Sequence, residues 1–176
     1  MIDIECNDEF LKKNIVSLFK QKKLFLKNDY ANKYFFKVKF YQQSDFLHCL
    51  IEDQEIKFNL PKNFDEMFEK IYDLISNKNI FFKNYKFYPF KQVIKNDQKI
   101  TLLSEIQNKI MIYLFLNTDS GIEKIELIKS IWPKDKDVFL NKLDTHLTNL
   151  KNQILNDLNF DLKFSSKSGI LKLSIN

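Results

Sequence analysis

The chain contains no arginine: all 28 of its basic residues are lysines. No side chain therefore offers the planar, two-pronged guanidinium that clasps a guanine edge or a phosphate through paired hydrogen bonds. Glycine is almost as scarce, with Gly121 and Gly169 alone, which leaves no Gly-rich loop to cradle a nucleotide's phosphates. The two histidines, His48 and His146, have no nucleophile or second ligand at a recognisable spacing. Nothing here supports an enzyme, so no catalytic residue, metal site or cofactor is expected. Cys6 and Cys49 stand isolated, without metal-ligand spacing, and read as free buried thiols in a reducing compartment. The chain also lacks an uncharged apolar run long enough to span a bilayer and a charged-then-apolar leader at its start. Both absences point to a cytoplasmic protein with no membrane partner.

What the chain does contain is 44% apolar residues over 176 positions, enough to pack one domain or two small ones. Its formal charge of +5 is unevenly placed. Residues 1–79 carry 13 lysines against 13 acids, whereas residues 80–176 carry 15 lysines against 10 acids, so the whole excess lies in the second half. A surplus of five suits a polyanion partner without requiring one.

The most informative stretch is Glu123–Ile154, which reads as two helices joined by a tight connection. Ile125, Ile128, Ile131 and Trp132 form the apolar stripe of the first. Pro133 ends it, and the KDKD run after it is a solvated turn. Phe139, Leu143, Leu147, Leu150 and Ile154 follow at steps of 4, 4, 3 and 4 along the second. The opposite face of that helix shows Lys142, Thr145, His146, Asn149 and Lys151, short polar or cationic groups suited to a nucleic-acid groove.

These residues resemble the winged-helix effector domain of OmpR/PhoB-type response regulators. Glu126-Leu127-Ile128 and Ile131-Trp132 match the family's acidic–aliphatic–aliphatic and Val-Trp pattern. Leu143-Asp144-Thr145-His146-Leu147-Thr148-Asn149-Leu150-Lys151 follows its recognition helix, VDVHIxxLRxxL. The Asp-x-His pair, at its fixed distance after the Trp, is the most specific part. The segments FFKNYKFYPF, QVIKN and KITLL, with a turn at Asn96-Asp97, resemble the small antiparallel sheet that opens this domain. Ser104-Glu105-Ile106-Gln107 is a capping box opening the helix of Ile106, Ile110, Tyr113 and Leu114, with Leu103-Ser104 in place of the family's Leu-Thr. Gly121 ends the loop after that helix. Phe160–Leu162, a turn over Ser165-Ser166-Lys167-Ser168-Gly169 and the strand Ile170–Leu173 resemble the family's C-terminal hairpin, or wing. Read without the family, SSKSG is equally an ordinary solvated hairpin turn.

Residues 1–78 invite a second comparison. Met1–Cys6 reads as a strand, Glu9–Gln21 as an amphipathic helix carrying Phe10, Leu11, Ile15, Leu18 and Phe19, and Tyr34–Tyr41 as a strand. Asp45–Ile51 is expected as a short helix and Glu55–Leu60 as a strand. A helix from Asn63 or Asp65 carries Phe64, Met67, Phe68, Ile71, Leu74 and Ile75. Leu60-Pro61 followed by Phe64, Glu66-Met67-Phe68 and Lys70-Ile71 resembles the last β-α unit of a response-regulator receiver. Fewer than 80 residues cannot hold five such units. A phosphoacceptor Asp is missing, and Leu60 stands where the family has Lys. The expectation is a shortened, degenerate receiver-like α/β domain over 1–78, with an unrelated small α+β domain as the alternative. The fold expected overall is α+β: that domain, then a winged helix-turn-helix over 79–176 with an N-terminal antiparallel sheet and a C-terminal hairpin.

The resemblance implies a sequence-specific DNA-binding transcription regulator from the world of two-component phosphorelays, here independent of phosphorylation. Its partners would be double-stranded DNA, a second copy of itself and RNA polymerase. Phosphate contacts are assigned to Lys142, His146, Lys151 and Lys167, with a hydroxyl from Ser165 or Ser166; Trp132 packs at the core edge with its indole N–H able to reach a phosphate. Base contacts fall to Thr145 and Asn149, and Asn141 and Thr148 complete the helix face. His146 contacts a phosphate or caps a local hydrogen bond, and Asp144 holds a structural bond because its charge repels DNA. The family usually has Arg at Asn141 and around Asn149 and Lys151. Amide and methyl groups in place of guanidinium favour an AT-rich operator. The missing arginines also keep open a winged-helix protein-interaction module that does not bind DNA.

Overall fold

The computed structural model describes residues 1–22, 33, 36–59, 63–134 and 140–174. The chain divides into two compact units, Met1–Lys78 and Asn79–Asn176.

In the first unit the elements run β1 (Ile2–Cys6), α1 (Glu9–Gln21), β2 (Phe36–Gln43), β3 (Phe46–Ile51), β4 (Gln54–Asn59) and α2 (Phe64–Ser76). Each helix begins on a side-chain cap: Asp8 accepts from the Leu11 N–H at 2.8 Å, and Asn63 from the Asp65 N–H at 3.0 Å. The sheet order is β1-β2-β3-β4, with β1 parallel to β2 and the rest antiparallel. One face of the sheet buries Phe36, Val38, Phe40, Leu47, Cys49, Ile51 and Phe58, along with Ile15 and Phe19 of α1 and Met67, Phe68, Ile71 and Ile75 of α2. The rings of Phe19 and Phe68 meet at 5.2 Å, so both helices cover the same face. The other face is polar. Glu5 pairs with Lys37 at 2.6 Å and Lys39 at 3.5 Å. Glu55 accepts from the Tyr41 hydroxyl at 2.6 Å, and the same oxygen lies 2.8 Å from His48 Nδ1.

This corrects the receiver-like reading. A receiver's sheet is parallel and needs helices on both faces. Among the described residues one β-α-β unit runs into an antiparallel meander, which can leave one face to water. The helix expected over Asp45–Ile51 is strand β3, whose Leu47, Cys49 and Ile51 alternate into the core and whose backbone pairs with both β2 and β4. Phe10, expected on the buried face of α1, is 79% exposed. Both cysteines are free and buried, and burial pushes the Cys49 thiol up to about 12. Tyr34, Phe35, Leu60 and Pro61 lie outside the described residues.

The second unit opens with β5 (Ile80–Phe82), β6 (Tyr85–Tyr88), β7 (Val93–Lys95) and β8 (Ile100–Leu102), an antiparallel sheet in chain order. Asn96 accepts from the N–H groups of Gln98 and Lys99, fixing the β7–β8 turn. Helix α3 (Glu105–Leu116) starts on the capping box: Ser104 accepts from the Gln107 N–H at 3.3 Å, and Gln107 accepts from the Ser104 N–H at 2.8 Å. A two-residue strand β9 (Ile122–Glu123) leads into α4 (Lys124–Ile131), followed by α5 (Leu140–Leu158) and the hairpin β10 (Lys163–Lys167) and β11 (Ile170–Ser174). Strand β11 lies between β10 and β9. Leu143, Leu147, Leu150, Ile154 and Leu158 form the buried stripe of α5, packed with Leu127, Ile128 and Ile131 of α4 and Ile110, Met111 and Leu114 of α3.

Two expectations change here. On α4 the buried positions are Leu127, Ile128 and Ile131, whereas Ile125 is 49% exposed. Ser165, Ser166 and Lys167 belong to strand β10 rather than to the turn, which is only Ser168-Gly169. Their φ values of 52° and 80° are the left-handed pair of a two-residue hairpin, whose twist matches that of the flanking strands. Phe139 and residues 135–137 of the KDKD run lie outside the described residues. No helix among the described residues is long and apolar enough to cross a membrane.

Candidate nucleic-acid interface

Helix α5 holds the site because its buried stripe fixes its rotation. With Leu143, Leu147 and Leu150 facing inward, Asn141, Thr145, Thr148 and Asn149 are exposed, and Lys142, His146 and Lys151 are half-buried on the flanks. The first three turns of α5 contain one carboxylate, Asp144, which bonds the Lys124 ammonium at the start of α4 at 2.8 Å. That ion pair ties the two helices together and neutralises a charge that would repel a polyanion. It is legible only in space, because the partners are far apart in sequence.

Trp132, Lys142 and His146 come together. Trp132 caps the C-terminus of α4, its N–H donating to the Ile128 carbonyl at 2.8 Å. The Lys142 ammonium sits 4.4 Å from the centre of the indole, and the His146 ring 5.5 Å from it. Burial, and then the Lys142 charge, hold the imidazole below its ordinary value of 6.5, so it is neutral at pH 7. The threonines bond locally: Thr145 donates to the Asn141 carbonyl at 2.8 Å and Thr148 to the Asp144 carbonyl at 2.9 Å. Each keeps a methyl and acceptor lone pairs for an outside group. Lys151 lies 3.3 Å from Asp161 and is thereby held along the helix. The Asn149 amide makes no hydrogen bond among the described residues.

The hairpin sorts its three candidates by strand alternation. Ser166 pairs with the buried Leu171, whereas Ser165 and Lys167 pair with Lys172 and Ile170 on the opposite face. Ser165 and Lys167 therefore point the same way, and Ser166 points the other. The hairpin is anchored by β9 and by Lys172, which donates to the Asp119 carbonyl at 2.6 Å. Gly121, at φ +75°, lets this anchor form: a Cβ there would stand 2.6 Å from Ile170 Cγ2. Sequence reasoning missed this third strand, since two residues carry no periodicity.

A polar chain fixes the far end of α5. Gln153 donates to the Thr101 hydroxyl at 2.9 Å and the Leu102 carbonyl at 2.7 Å, Gln107 donates to Gln153 at 2.9 Å, and Thr101 donates to Asp157 at 2.5 Å. Among the described residues no group of three or more His, Cys, Asp or Glu stands close enough to hold a metal ion.

A sheet, three helices, the third presenting a polar face, and a C-terminal hairpin define the second unit as a winged helix-turn-helix fold. Solved structures resemble it, among them the following two. One is the C-terminal domain of the nisin resistance regulator NsrR, a lantibiotic response regulator, at 22% identity and a TM-score of 0.44 over 55% of this chain and 96% of that one. The other is the DNA-binding domain of E. coli CadC, at 14% identity and a TM-score of 0.49 over 57% of this chain and 95% of that one. No family model and no curated protein matches the chain.

Proposed function

We propose that this chain is a sequence-specific DNA-binding transcription regulator of the OmpR/PhoB type that acts without phosphorylation. The observation that carries this reading is the outer face of α5: exposed Asn141, Thr145, Thr148 and Asn149, flanked by Lys142 and His146, with Asp144 already paired to Lys124. In this reading α5 enters the major groove. Asn149 bonds an adenine edge through its donor–acceptor amide, and the Thr145 methyl lies against thymine. Lys142, Lys151, Trp132 and the hairpin's Ser165 and Lys167 meet phosphates, which position the helix without reading sequence. His146 adds a neutral donor at pH 7. Ser166, on the other face of the hairpin, takes no part. Two copies on paired half-sites, and a contact with RNA polymerase, are the partners this reading carries.

A second reading, a protein-interaction module, is favoured by Lys151, whose charge is engaged by Asp161, and by Ile125 and Leu140, 49% and 45% exposed. A gel shift on genomic fragments across a salt series separates the two. Duplex binding that weakens steeply with salt supports the first reading, because each phosphate contact releases counterions. No shift at any salt leaves the second. Binding-site selection that returns GC-rich sequences would overturn the AT-rich operator.

A further inference from the structure

The outer face of the β5–β8 sheet, away from the helices, carries a contradiction. Lys86 and Lys95 are directly opposite each other on β6 and β7. Like charges on residues directly opposite, whose Cβ atoms lie about 4.5–5.5 Å apart in paired strands, are destabilising. Neither ammonium forms an ion pair among the described residues. Residues 80–103 hold five lysines and one acid, Asp97. Around the lysine pair the face is apolar. One cross-strand row reads Phe81, Lys86, Lys95, Ile100, and the next reads Tyr88, Val93, Leu102. Phe81, Ile100 and Leu102 are 69%, 61% and 68% exposed. A sheet face that only met water would not keep three large apolar side chains out around two cations that no acid neutralises.

We propose that this face docks an acidic amphipathic segment of a partner protein. A carboxylate of the segment lies between Lys86 and Lys95, and its apolar side chains cover Phe81, Ile100 and the Tyr88–Val93–Leu102 row. Charge complementarity selects this occupant. A single-stranded nucleic acid would also meet the lysines, but it needs open aromatic faces to stack bases. The Lys86 ammonium lies 5.1 Å from the centre of the Phe81 ring, and Lys95 5.1 Å from that of Tyr88. Both rings are therefore already occupied by a cation, and Val93, Ile100 and Leu102 would be left uncovered. The surface is separate from the α5 face and does not depend on it.

The test uses the full chain and a displayed library of random twelve-residue peptides, with binding of the enriched peptides then measured by fluorescence anisotropy against labelled oligo-dT as the competing class. Enriched peptides should combine Asp or Glu with Leu, Ile or Phe, and Lys95→Glu should weaken them at least tenfold. Exchanging the peptide's acid for Lys should restore binding to that variant. Lys95→Glu places opposite charges at the Lys86 position, so its thermal midpoint should rise; loss of peptide binding in a more stable protein cannot come from misfolding. No enrichment, enriched peptides without acids, equal binding by the variant, or preferential binding of oligo-dT would each overturn the proposal.

Discussion

At single positions, backbone geometry and local charge set clear expectations. Gly121 and Gly169 both hold positive φ, but only at Gly121 does a Cβ collide, with Ile170 Cγ2 at 2.6 Å and the Leu171 carbonyl at 3.0 Å. Gly121→Ala is expected to cost up to about 3 kcal/mol, combining left-handed strain with the clash. Gly169→Ala, with open space around it, should cost about 1–2 kcal/mol from strain alone. Urea unfolding of the two variants gives this order, and equal losses would show that the β9–β11 anchor adds nothing. His146 gives a pH dependence whose sign follows from its lowered pKa. The unfolded chain binds a proton near the ordinary value and the folded chain only below it, so stability contributed by the neutral ring is full above pH 6.5 and falls as pH drops through the folded value. DNA affinity moves the opposite way, because protonation adds a cation beside Lys142. Both slopes should flatten in His146→Gln when urea midpoints and duplex affinity are compared between about pH 7.5 and 5.5. On the binding face, Lys167→Ala should weaken all duplexes alike and lower the salt slope by about one. Asn149→Ala should cost roughly 1–3 kcal/mol on the preferred sequence and relax discrimination. An unchanged cognate-to-random ratio in Asn149→Ala would remove α5 from the groove.

Among the elements, α5 decides the candidate site and was the most legible. Its stripe from Leu143 to Leu158 repeats at helical spacing, and that repeat sets which residues face out. The Ser104–Gln107 capping box was equally readable, because both of its hydrogen bonds are local. What failed depended on partners distant in sequence. Strand β3 looked like a short helix, since a six-residue apolar run has the same composition in either state until β2 and β4 flank it. Strand β9 is two residues long and exists because β11 reaches it. The receiver resemblance rested on β-α signals that read alike in parallel and antiparallel sheets, so it could not foresee β4 running antiparallel beside β3. The Gln153 junction lay equally out of reach, joining β8, α3 and α5 across some 50 positions. Gln153→Leu removes the donor to the Leu102 carbonyl and the partner of Gln107 together. It should cost about 1–3 kcal/mol through the unsatisfied groups left behind. Hydrogen exchange should show the loss in the C-terminal turns of α5 rather than around Asn149.

At the scale of the molecule, two units of different charge are joined in one chain: the first is neutral, and the second carries the whole excess of lysine. A phosphorylated receiver would set the activity of such a pair by moving a phosphoryl group onto an Asp beside a metal held by acidic oxygens. Five acids of the first unit have partners of their own. Asp8 caps α1 through the Leu11 N–H. Glu5 binds Lys37 and Lys39, Glu52 binds Lys78, Glu69 binds Lys22, and Glu55 serves Tyr41 and His48. No three of them converge among the described residues. With β1–β2 the single parallel pair among the described residues, they also hold no row of parallel strand ends to gather an acidic pocket. The chain should therefore ignore a small phosphodonor. After incubation with such a donor and Mg²⁺, its intact mass and its duplex affinity should both match those of the untreated protein. A phosphoryl mass on an Asp within residues 1–78, together with tighter DNA binding, would restore the receiver. An unchanged protein leaves abundance, or a partner, as what sets its state.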